Sequence, residues 1–172
     1  GLMDRCVALG LVPHGLSFHV GSQTREPQMW EPILDQVADV WQAARAAGHD
    51  LKLLNIGGGF PAGYRNAVMA PEVYATEVMK RVNARFPDAA EVIAEPGRGL
   101  VAEAGAIAAE VMLVSRKHDS DLHRWVYLDI GKFSGLAETM DEAIRYKITT
   151  DRDHETLGAC VLAGPSCDSA DV

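Results

Sequence analysis

Three chemically unusual tails punctuate the first hundred residues at equal intervals. They are His19-Val20-Gly21-Ser22-Gln23, Gly57-Gly58-Gly59-Phe60-Pro61 and Glu95-Pro96-Gly97-Arg98-Gly99, and residues 19, 57 and 95 stand 38 apart. Their chemistries are complementary. The three glycines strip a loop of side chains, so that backbone N–H groups can approach an anion such as phosphate. Arg98, just after Gly97, offers a guanidinium to the same anion. His19 is flat and aromatic, and Glu95 is a carboxylate. Each residue alone has a plainer reading: a tight turn for the glycines, a packed or surface histidine, a solvated glutamate or a partner for Arg98. Those plain readings would have to hold independently at three consecutive places.

The elements that carry the tails make convergence the expectation. Each tail ends a short apolar run: Leu16 to Val20, Leu51 to Ile56, and Glu91 to Ala94. Between the first two runs, Trp30, Ile33, Leu34, Val37, Val40, Trp41 and Ala44 recur at helical spacing, with Gly48 as the stop. Between the second and third, Pro71 opens a helix whose face is Tyr74, Val78, Val82 and Phe86, and Pro87 ends it. Strand and helix in alternation predict a parallel α/β sheet, and the C-terminal ends of parallel strands share one face. Barrels also commonly keep a phosphate site near their last strands. A phosphate cradle, a flat ring and a carboxylate on one face describe a site for a phosphorylated aromatic cofactor, and pyridoxal 5'-phosphate (PLP) fits best. A carboxylate opposite the ring nitrogen would keep that nitrogen protonated, letting the ring accept an electron pair from the substrate Cα.

Beyond about Ala104 the rhythm changes. Ile107 to Val114 and Trp125 to Ile130 read as two strands around the polar break His118-Asp119-Ser120-Asp121, and Ala159 to Ala163 as a further strand. The expected organisation is a partial barrel over 1–103 and the start of a separate β domain over 104–172. Leu2, Val7, Leu9 and Leu11 read as the last turns of a helix stopped at Gly10. The chain also stops within an unclosed motif, so both ends read as cut.

Of 172 residues, 48% are hydrophobic and 23% charged, the composition of a globular protein. The net charge of −8 argues against a nucleic-acid partner. No apolar run reaches the roughly 18 residues of a membrane span, and no signal-peptide pattern opens the chain, so a cytoplasmic location is expected. Cys6, Cys160 and Cys167 fit neither a zinc site nor a disulfide framework; reduced thiols and no metal are expected.

Four motifs in order, Ser17-Phe18-His19-Val20-Gly21-Ser22, Asn55-Ile56-Gly57-Gly58-Gly59-Phe60-Pro61, Glu95-Pro96-Gly97-Arg98 and Gly164-Pro165-Ser166-Cys167-Asp168, resemble those of the ornithine/diaminopimelate/arginine decarboxylase family. The resemblance implies the C-terminal part of a PLP-binding (β/α)8 barrel followed by a β domain. It also implies decarboxylation of an amino acid, L-ornithine to putrescine being the leading expectation. By the same resemblance His19 stacks on the pyridine ring, Ser22 lies at the phosphate end, Gly57, Gly58, Gly59, Gly97 and Arg98 hold the phosphate, and Glu95 meets the ring nitrogen. Cys167 delivers a proton after carbon dioxide leaves, and Asp168 recognises the distal amine, both in the partner subunit of a homodimer. A second acid for that amine falls on Asp141, with Glu138 competing and Met140 in place of the family's tyrosine.

One departure is large. The family's Schiff-base lysine lies on an earlier strand, and Lys52, Lys80, Lys117, Lys132 and Lys147 sit in no matching motif, so the chain alone is expected to be inactive. The alternatives are a lysine or dual lysine/ornithine enzyme and, from another class, an inactive regulatory homologue of the antizyme-inhibitor type. Diaminopimelate enzymes typically carry glutamate where Asp168 stands, and racemases of this barrel class an arginine where Glu95 stands.

Overall fold

The computed structural model describes residues 1–142 and 144–172, the side chains of Asp141 and Glu142 excepted. The chain divides into two compact units, residues 1–63 with 67–104, and residues 64–66 with 105–172.

The first unit is a three-stranded parallel sheet in the order β1 (Gly15–Ser17), β2 (Leu53–Asn55), β3 (Glu91–Ile93). Helix α1 (Leu2–Ala8) precedes it, α2 (Glu31–Ala46) and α3 (Pro71–Arg85) connect its strands, and the short α4 (Gly97–Val101) follows. Both connecting helices start with proline in the first turn and carry an acid there and an arginine in the last turn, matching the helix dipole at each end. Their apolar faces meet over Trp30, Leu34, Leu54, Tyr74, Val78 and Val82, each at most 1% exposed. Val40, placed by the sequence on the same stripe, is 51% exposed. Six residues past Leu34, at about 100° per residue, it has rotated to the far side of the helix.

The ladder is shorter than the apolar runs imply, three residues per strand. Phe18 and Val20 continue to pack on the core after β1 has ended, and Ile56 is fully buried just past β2. The apolar runs therefore report burial over a longer stretch than they report hydrogen-bonded pairing.

In the second unit β4 (Val111–Ser115) pairs antiparallel with β5 (Arg124–Leu128), with an irregularity between Val111 and Leu113. This is the hairpin read from the sequence. Strand β6 (Cys160–Ala163) lies parallel to β5 on its other side. The Lys117 ammonium, in the loop that joins the two strands, sits 3.5 Å from the centre of the Trp125 ring, a cation–π contact at the connected end of the hairpin. All three cysteines are free thiols. Among the described residues no helix is long and apolar enough to cross a membrane.

Candidate active site

Register decides the site. Gly15, Leu53 and Glu91 are aligned across the three strands, and His19, Gly57 and Glu95 each lie four residues further on. Parallel pairing carries the alignment past the ladder: Phe18 donates its N–H to the Asn55 carbonyl (3.1 Å), Ile56 to Ile93 (2.9 Å), and Glu95 to Gly57 (2.8 Å). The equal spacing in the sequence thus becomes one row across the sheet's C-terminal edge.

Side chains cross-link that row. Gly58 donates its N–H to Nδ1 of His19 at 3.2 Å, so a neutral imidazole there carries its proton on Nε2. Asn55 Nδ2 donates to Glu95 Oε1 at 2.7 Å, while Asn55 Oδ1 accepts the Gly57 N–H at 2.9 Å. One amide thereby aims the carboxylate and fixes the start of the glycine loop. His19 and Glu95 both remain exposed, available to a ligand.

Two of the three glycines have backbone reasons to be glycine. Gly57 and Gly59 take φ of +67° and +91°, a region other residues avoid. Added Cβ atoms would also collide with Phe18 O at 2.2 Å and with Gly21 O at 2.3 Å. Gly58 differs: its Cβ would stand 3.3 Å from the His19 ring and 2.8 Å from Glu95 O, filling the cradle between the ring and the carboxylate strand. Phe60 anchors the loop from behind, its ring 5.5 Å from Trp30 and 5.9 Å from Tyr74, edge to face. Gly97 and Arg98 open α4, and Arg98 is half-buried there. Ser22 lies exposed in the turn after His19.

The structure therefore brings together His19, Gly57, Gly58, Gly59 and Glu95, with Ser22, Gly97 and Arg98 on the same strand tails. Cys167 and Asp168 belong to the second unit, exposed in the loop after β6. Asp168 Oδ1 there accepts the Ala170 N–H at 2.8 Å and caps the short turn Ser169–Asp171. The side chain of Asp141 lies outside the described residues. Asn55 opens one of the motifs quoted from the sequence but was given no role there; the signal was a polar amide inside the run Leu51 to Ile56, directly before the glycines.

A PLP-sized group suits these residues: a glycine loop without side chains and a guanidinium for phosphate, an imidazole face, and a carboxylate pre-aimed by Asn55. Residues 2–102 match the model of the pyridoxal-dependent decarboxylase pyridoxal-binding domain. The chain is 31% identical to ornithine decarboxylase 2 of Drosophila melanogaster over 99% of its own length and 44% of that protein's. It is 29% identical to the diaminopimelate decarboxylase of Helicobacter pylori over 94% of its length and 39% of that enzyme's. Among solved structures, the lysine/ornithine decarboxylase of Vibrio vulnificus complexed with cadaverine superposes with a TM-score of 0.77 at 31% identity, covering 99% of this chain and 45% of that one. The chain spans less than half the length of each of these relatives.

Proposed function

The chain belongs to the pyridoxal-dependent decarboxylase family, its residues 2–102 being a pyridoxal-binding domain, and on that premise we propose that it serves a PLP-dependent decarboxylase converting L-ornithine to putrescine for polyamine synthesis. The observation that carries the reading is the linked row of His19, Gly58, Asn55 and Glu95 at the sheet's C-terminal edge. When bound, PLP supplies an electron sink for the pair left at the substrate Cα as carbon dioxide departs. Glu95, aimed by Asn55, holds the proton on the ring nitrogen. His19 presents its imidazole to the ring. The glycine loop, Ser22, Gly97 and Arg98 receive the phosphate. In this reading the first unit is part of a (β/α)8 barrel and the second the start of a β domain, with their boundary near residue 104.

Cys167 gives a proton to the product carbon and Asp168 takes the substrate's terminal ammonium, in the neighbouring active site of a cytoplasmic homodimer. Asp141 is the second acid in this scheme. Two carboxylates around one ammonium offset the cost of removing that charge from water. No lysine of this chain stands in a cofactor-carrying motif, so turnover requires polypeptide beyond these residues. The Vibrio relative is named for both lysine and ornithine, which favours dual use as the second reading. One methylene separates the two substrates, a difference a pocket resolves by only about 10–200-fold.

The test is carbon dioxide release from L-ornithine and L-lysine by the complete polypeptide supplied with PLP. A higher kcat/KM for ornithine is expected, and Asp168→Ala should abolish that preference together with most activity. Equal or better use of lysine sinks the ornithine assignment and leaves the decarboxylase class standing; absence of any turnover sinks the class.

A further inference from the structure

Gln23 is spent in a way the reaction above does not explain. Its φ is +58°, making it the one non-glycine residue with positive φ among those described. A non-glycine side chain is disfavoured there, so the rest of the structure has to hold it. What holds it is its own amide. Nε2 donates to the Ala62 carbonyl at 2.6 Å, and Oε1 accepts the Ala62 N–H at 3.1 Å, so one side chain pairs with both backbone groups of one residue. The next residue, Thr24, is 5% exposed and binds the other end of the same loop, its N–H donating to Gly59 O at 2.9 Å. Thr24 Oγ1 closes the turn onto Gly21 O at 3.1 Å. From the core side, Tyr74 Oη donates to the Thr24 carbonyl at 2.5 Å while accepting from Trp30 Nε1 at 2.8 Å. Burial pushes the Tyr74 phenol above its ordinary range, which keeps that proton in place.

We propose that Gln23 is a positioning residue that clamps the Ser22 turn onto the glycine loop, so that both face a single phosphate group. The proposal rests on the cofactor reading above. Thr24 supplies one point of attachment at Gly59 and Gln23 the second at Ala62; two points fix an orientation where one leaves a pivot. An amide suits the task because it satisfies a donor and an acceptor at once without adding charge beside an anion. His19 and Glu95 have their own ties, to Gly58 and Asn55. Loss of the clamp therefore disturbs the phosphate end and spares the ring end.

That asymmetry makes the test. The complete polypeptide, freed of cofactor, and its Gln23→Gly variant are titrated calorimetrically with PLP and with pyridoxal, which lacks the phosphate. Glycine adopts φ near +58° without strain, so only the amide is removed. The variant should bind PLP about tenfold more weakly, the scale of one or two neutral hydrogen bonds, and pyridoxal within about twofold of the parent. Equal weakening for both ligands marks a merely structural role and overturns the proposal, as does unchanged PLP affinity. A parent chain that does not prefer PLP over pyridoxal overturns the cofactor reading itself. Should the variant fail to fold, amide exchange in the parent decides. An Ala62 N–H that is protected, and protected further by PLP but not by pyridoxal, upholds the clamp. One exchanging like an open loop removes it.

Discussion

Glu95 reaches its place through Asn55, and the division of labour between them can be separated. A Glu95→Gln enzyme keeps the hydrogen-bonding shape but loses the negative charge that holds a ring proton. Cofactor binding should persist while kcat falls by orders of magnitude; unchanged turnover and an unchanged cofactor spectrum would remove Glu95 from this role. Arg98→Ala should instead weaken PLP by one to two decades in Kd, because a charge-assisted hydrogen bond contributes about 1.5–3 kcal/mol net. Titrating the apo-protein with PLP checks it. His19, the glycines and Glu95 were legible in the sequence because residue type and interval were both visible there. Asn55 and Gln23 were not, since each is an amide of ordinary appearance whose partners lie 39 or 40 residues away, Glu95 for one and Ala62 for the other.

Elements were easier to read than their edges. Helix α3 buries Tyr74, Val78, Val82 and, at its end, Phe86, the face the spacing implied. Helix α2 buries Leu34 and Trp41 yet turns Val40 outward, because a hydrophobic residue at nearly the right interval looks the same in sequence as one at the right interval. The strands were read too long, since Phe18, Val20 and Ile56 are apolar for packing and not for the ladder. Among the loops Gly59 is a position where a side chain is costly. Alanine there meets the left-handed penalty of about 1–2 kcal/mol and an overlap with Gly21 O that costs about 1–3 more. Gly59→Ala should therefore lower the thermal midpoint of the first unit clearly, while an exposed Val40→Lys change stays within about 0.5 kcal/mol. Comparing the two melts is the measurement.

Across the whole molecule, the second unit holds a titratable lock that no motif announced. Asp171 is 3% exposed, accepts N–H groups from Lys132 (2.6 Å) and Ser166 (3.1 Å), and pairs its backbone with Gly164 and Asp168. It thereby ties the turn after β5 to the loop bearing Cys167 and Asp168. Desolvation pushes its carboxyl up, but the Ser166 and Lys132 hydrogen bonds and the Lys132 charge outweigh this, and its pKa lies below the ordinary value. A depressed carboxylate contributes stability that is full above the unfolded value, about pH 4, and is lost as pH falls through the lower folded one. Amide exchange at Lys132 and Ser166 should therefore accelerate only in strong acid, and Asp171→Asn should flatten that dependence; a loop that loosens between pH 5 and 7 would contradict it. The hairpin of this unit was legible from its polar break, whereas the parallel docking of β6 on β5 was not, because sequence order carries no sign of which edge a later strand will choose.

The four-residue offset from the aligned strands to His19, Gly57 and Glu95 has a genetic corollary. Height above the sheet is counted from the hydrogen-bonded register and not along the polypeptide. A codon inserted in the connection after α2, around residues 47–50, leaves β2 paired as before and the row intact. The same codon inserted between Leu53 and Gly57 lifts the glycine loop by about 3.3 Å and turns its residues to the opposite face. In-frame insertion scanning of the gene should accordingly find tolerance and loss of cofactor binding within a few codons of each other, with the boundary falling at the start of each strand.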